Sequence, residues 1–149
     1  MDFEPSPFDK NRAAVMRLFA LAPWAILDDL TKQFAHEAHK TLRGPDVGLV
    51  MLRGRMGATG NAFNLGEATV TRCALVRPSG IEGHAYIMGR NAAHASRAAL
   101  CDALFQESPA VMAPILTALE KSLLETHQLS AAKAAATRVD FFTMVRGDD

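Results

Sequence analysis

The chain predicts a single α+β domain: an antiparallel sheet of three to four strands packed with four to five helices. Three observations lead there. Apolar residues recur at intervals of three and four near the start of the chain and again in its last third, which is helix spacing. Between those regions the period drops to two and glycine becomes frequent. A Pro78-Ser79-Gly80 turn joins two of the strand-like runs, so they form an antiparallel hairpin.

Taken in order, Asp9 caps a short helix through Val15, Met16 and Phe19, and Pro23 ends it while opening the next. That second helix carries the stripe Leu27, Leu30, Phe34, Ala38 and Leu42 and stops at Gly44-Pro45. Strands follow, VGLVMLRGRM from Val47, then FNLGEATVTRCALVR, then GHAYIMGR. Asn91 caps a helix whose Ala95, Ala98, Leu100 (or Ala99), Cys101 and Leu104 point inward. Ser108-Pro109 opens the last helical region, which Pro114 is expected to split into a short turn and a long helix. That helix packs through Ile115, Leu116, Leu119 and Leu123 and continues into AAKAAA. The end, RVDFFTMVRG, alternates again and places Val139, Phe141, Thr143 and Val145 on one face of a strand. One domain therefore spans residues 1–149, with 1–8 loose and 137–149 forming a C-terminal strand or arm.

At 149 residues and 49% hydrophobic content, a domain buries roughly 70% of the surface its unfolded chain exposes, so no disulfide or structural metal is required. Sixteen basic residues balance sixteen acidic ones, which argues against nucleic acid or an anionic membrane as partner. The acidic start lacks a signal-type apolar core, and no run approaches the ~20 apolar residues that span a bilayer. A cytoplasmic location is expected. Cys73 and Cys101 stand far apart and suit buried, reduced thiols.

Candidate chemistry is sparse. In His36-Glu37-Ala38-His39 the histidines stand three apart, one short of the zinc-protease spacing, so a solvated helix face is expected and no metal is assigned. Gly57-Ala58-Thr59-Gly60 has strand-like sequence on both sides and lacks the Lys-Ser/Thr of a phosphate loop, which favours a glycine-permitted hairpin loop; Arg55 beside it keeps phosphate binding open. His84 and His94 have no nucleophile matched to them by spacing. In GEATVTR, Glu67, Thr69 and Thr71 share one face, and Val70, Arg72 and Ala74 the other. No lysine falls between Thr41 and Glu120. Every cation of the sheet segment is arginine, at 53, 55, 72, 77 and 90. Arginine's planar fork suits carboxylate, phosphate and interfaces.

With RMGATG, GEATVTR, GHAYIMGR followed by NAAH, and RVDFFTMVRG in that order, the chain from about residue 11 to its end resembles the PhnG family, the G subunit of carbon–phosphorus lyase systems. The family pattern usually reads RMGGTG, and Ala58 departs from it, which implies an ordinary backbone there. The resemblance implies phosphonate catabolism. The G subunit joins I, H and J subunits in a core complex and supports the I subunit, which uses MgATP and an alkylphosphonate to form ribose 1-phosphonate 5-triphosphate with release of adenine. It implies an accessory transferase subunit with no catalytic residue, metal or cofactor of its own. The expected partner- or substrate-facing residues are Arg55, Met56, Gly57, Thr59, Gly60, Glu67, Thr69, Arg72, His94, Asp140, Phe141, Phe142 and Arg146. The other reading is direct binding of anionic nucleotide or phosphonate by the sheet arginines. A lone chain with such a surface is expected to self-associate.

Overall fold

A computed structural model describes residues 7–57 and 59–138. Helix α1 (Pro7–Leu21) and helix α2 (Trp24–Thr31) are followed by a 3-10 turn at Lys32–Phe34. The strands are β1 (Lys40–Arg55), β2 (Ala62–Val76) and β3 (Glu82–Met88), and helices α3 (Ala92–Glu107) and α4 (Pro109–Ala136) complete the order. The sheet is antiparallel in the order β1-β2-β3. The α+β class, the meander and the hairpin at Pro78-Ser79-Gly80 are as the sequence implies. Gly80 takes φ +85° there, which only glycine adopts cheaply.

One face of the sheet is core. Thr71, Cys73 and Leu75 of β2 stand opposite Ile87, Ala85 and Gly83 of β3, all turned toward the helices and buried. Helix α3 lies directly on them. Gly83 makes this possible, because a Cβ there would overlap the Ala99 carbonyl oxygen and come within 2.9 Å of the Ala103 Cβ. Helix α3 is buried on nearly every side, from Ala95 through Phe105, since α1, α2 and α4 also pack against it. Asn91 caps it as expected, its side chain accepting the His94 N–H at 3.0 Å. At the centre Asp102 is fully buried. It accepts two bonds from Arg12 of α1 (2.9 and 2.7 Å) and one from the His84 N–H (2.9 Å), tying α1, α3 and β3 together.

Three boundaries differ from the sequence expectation. Helix α1 begins at Pro7, so Asp9 lies inside its first turn rather than at its cap. The second helix stops at Thr31, whose hydroxyl bonds back to the Leu27 carbonyl at 2.5 Å before the chain tightens into the 3-10 turn. Ala38 and Leu42 share the stripe's spacing by coincidence: Lys40 onward pairs with β2, and Leu42 is exposed on that strand. Gly44-Pro45 is accordingly a register irregularity within β1, not a helix stop; an edge strand tolerates the missing proline N–H. Pro114 does not split α4. The burial of Met112, Ile115 and Leu119 on either side of it carries the helix through. The expected C-terminal strand from Val139 lies outside the described residues, as does most of the segment expected to be loose at the start.

Candidate partner-docking site

Strand β3 pairs only with Val70–Val76 of β2, whereas β1 follows β2 all the way to the Arg55–Ala62 pair. The outer parts of β1 and β2 therefore leave the three-stranded body as a two-stranded ribbon. From Leu49 to Arg55 it extends on the order of 20 Å at the usual strand rise. On the face continuous with the core stand Leu49 and Met51, opposite Thr69 and Glu67; the leucine is 60% exposed and the methionine 52%. On the other face Val50 and Leu52 stand opposite Ala68 and Gly66, and the Phe63 ring packs across Gly54. Leu52, Phe63 and Leu65 are all exposed.

The ribbon ends in a compact turn. Gly57 takes φ +59°, the Gly60 N–H bonds the Met56 carbonyl at 2.8 Å, and the Thr59 N–H bonds the Gly57 carbonyl at 2.8 Å. Arg55 reaches across to the Gly60 carbonyl at 3.3 Å. Met56 is left at the apex, 75% exposed. Ala58 lies outside the described residues.

The residues singled out in the sequence thus fall into separate groups. Arg55, Met56, Gly57, Thr59 and Gly60 form the tip, and Glu67 and Thr69 lie along one ribbon face. Thr71, expected beside them in a polar row, is instead fully buried. It donates to the Gly89 carbonyl at 2.7 Å and accepts the Asn91 N–H at 3.0 Å. Arg72 points to the opposite face at the ribbon's base and bonds Asp46 at 2.8 Å. It lies across Gly48, where a Cβ would come within 2.8 Å of its Nη2. Arg43 holds the same carboxylate, and its hydrogen bond, followed by that of Arg72, keeps the Asp46 carboxyl below the usual aspartate range. Arg77 is likewise engaged, by Glu37 at 2.9 Å and Glu107 at 3.1 Å.

His94 does not face outward. It is buried, its Nε2 donates to the Phe19 carbonyl at 2.8 Å, and its ring lies 6.0 Å from that of Trp24. The surface placement expected for it is corrected: it joins α1 to α3 inside the fold. His36 lies in the turn after the 3-10 segment and His39 just before β1, neither on a helix, and Glu37 between them pairs with Arg77. Asp140, Phe141, Phe142 and Arg146 lie outside the described residues. Burial pushes the Cys101 thiol up to about 12 and raises that of Cys73, so neither suits nucleophilic work. A cleft of about 190 Å³ lies between α1 and β3, lined by Met16, Phe19, Ala20 and Ile87 with Arg17, His84 and Tyr86, and a larger, open one of about 480 Å³ lies on the outer half of α4 beside Glu125, Gln128, Leu129 and Ala132.

The exposed apolar residues of the ribbon were the signal the sequence carried without declaring. VGLVML is apolar at successive positions, as in a strand buried on both faces, yet here Leu49 and Met51 on one face and Leu52 on the other are exposed, with Val50 half-buried. A similar bareness recurs on the outer half of α4, where Leu124 and Leu129 are exposed.

Fold and site together define a single α+β domain with an exposed apolar two-stranded projection. Residues 10–147 match the family described as phosphonate metabolism protein PhnG. The chain belongs to that family. It is 46% identical over 148 residues, covering 93% of this chain and 91% of the relative, to the alpha-D-ribose 1-methylphosphonate 5-triphosphate synthase subunit PhnG of Rhizobium meliloti (strain 1021). No helix among the described residues is long and apolar enough to cross a membrane.

Proposed function

We propose that this chain is a subunit of ribose 1-methylphosphonate 5-triphosphate synthase, as its relative's name describes that protein, and that its task there is assembly rather than bond-making. It joins the other core subunits, the I subunit principally and H and J as well. It supports the I subunit in forming the ribose phosphonate triphosphate from MgATP and an alkylphosphonate with release of adenine. The ribbon carries this reading: a soluble body gains nothing from displaying Leu49, Met51, Leu65 and Met56 to water, whereas a partner surface recovers about 25 cal/mol for each Å² of that apolar area it covers. The rival, direct capture of an anionic substrate by the sheet arginines, is weakened because Arg72 and Arg77 already bond carboxylates.

Co-expression with the cognate I, H and J subunits, followed by size-exclusion with light scattering, tests the reading. A stoichiometric complex is expected. Elution of this chain apart from all three contradicts it, and strong calorimetric heat on adding MgATP to the lone chain favours the rival.

A further inference from the structure

We propose that the ribbon beyond the Leu49–Thr69 pair is an insertion arm, gripped on both faces by an apolar, acid-rimmed groove of another synthase subunit. The inference rests on the assembly reading above and adds the shape and chemistry of the surface that receives the arm.

A flat partner does not satisfy this arm. Met51 and Leu52 are adjacent in β1 and so point to opposite faces, yet they are 52% and 41% exposed. One flat surface can cover only one of them, whereas a groove covers both. The arm also has little to hold it together alone. Two of its cross-strand pairs, Leu52–Gly66 and Gly54–Phe63, contain glycine, which contributes no side chain to the pair, and a two-stranded hairpin in water is marginal at best.

The free edge of β1 supports the same conclusion. Its first half carries Lys40, Arg43 and the Gly44-Pro45 irregularity, devices that discourage edge pairing. From Val47 to Leu52 there is neither charge nor proline. Charge then selects the occupant. The outer ribbon carries Arg53 and Arg55 against Glu67 alone, so its positive tip matches an acidic rim. A second copy of the same arm would bring two further arginines to it.

Hydrogen exchange on the full chain, alone and in the co-purified complex, tests the proposal. The expected result is fast exchange of ribbon amides in both strands when the chain is alone, slowed about tenfold or more on assembly. Met51→Glu and Leu52→Glu should each weaken assembly by about tenfold or more while leaving the melting temperature of the lone chain unchanged. Charge reversal by Arg53→Glu with Arg55→Glu should do the same. Assembly with the ribbon still exchanging fast overturns this inference and leaves the assembly reading standing. So does loss of assembly on one face only, an unaltered affinity after charge reversal, or a homodimer of the lone chain protected at the same amides. Failure of the unaltered chain to join any complex overturns both.

Discussion

Thr71 shows how far a single side chain's surroundings decide its role. The alternation that puts it on one face with Glu67 and Thr69 is correct, but α3 covers that face at Thr71 and leaves it bare at Glu67, a change no period-two pattern contains. Replacing its hydroxyl by the isosteric methyl of Thr71→Val orphans the Gly89 carbonyl and the Asn91 N–H. Denaturant unfolding should show a loss of about 1–3 kcal/mol. Gly83→Ala forces a methyl onto the Ala99 carbonyl oxygen. Because that oxygen belongs to the backbone of a buried helix, relief requires shifting α3, and a loss of about 1–3 kcal/mol or more is expected from the same measurement. Cys101 gives a pH dependence of definite sign. Its thiol stays protonated up to about 12 in the native state against 9.0 ordinarily, so the unfolded chain ionises first. Stability from this group is complete below pH 9.0 and declines between 9.0 and about 12. Cys101→Ala should flatten that decline in urea titrations repeated across the alkaline range.

At the scale of elements, β2, β3, the outer part of β1 and the starts of the two later helices were legible because their signals are local. Asn91 and Ser108-Pro109 mark helix starts through backbone N–H groups and the fixed proline φ, both independent of the rest of the fold. The second helix was overextended because Ala38 and Leu42 match the spacing of Leu27, Leu30 and Phe34, while the ladder that claims Lys40 onward lies with residues around Val76. Nothing nearby in the sequence announces that pairing. Pro114 erred the other way: a local breaker overruled by burial of Met112, Ile115 and Leu119. Pro114→Ala restores an N–H to the helix ladder and removes the ring's clash with the preceding turn. It should raise stability by about 1 kcal/mol or more, measured as a higher denaturant midpoint with unchanged slope. A split helix would gain nothing from it.

At the scale of the molecule, the body and the ribbon differ in how much of their apolar surface is covered. Helices α1, α2 and α4 enclose α3, and α3 covers the inner face of the sheet, so among the described residues Phe19, Leu27, Leu75, Met112 and Leu119 are fully buried. The ribbon adds apolar surface that this core does not use. Of the candidate site, the RMGATG tip was visible as a glycine-rich interruption between strands, and it does form the turn. The apolar faces beneath it were not, since the same letters describe a strand buried within its own domain. The most direct test is to remove the ribbon while keeping the body. Val50 and Ala68 are paired across β1 and β2, so replacing residues 51–67 with Asn-Gly closes them by a two-residue hairpin turn. Expected is a chain that melts cooperatively close to the parent temperature and no longer enters the complex with the I, H and J subunits on size-exclusion with light scattering. A folded, shortened chain that still assembles with full stoichiometry would contradict the docking role of the ribbon.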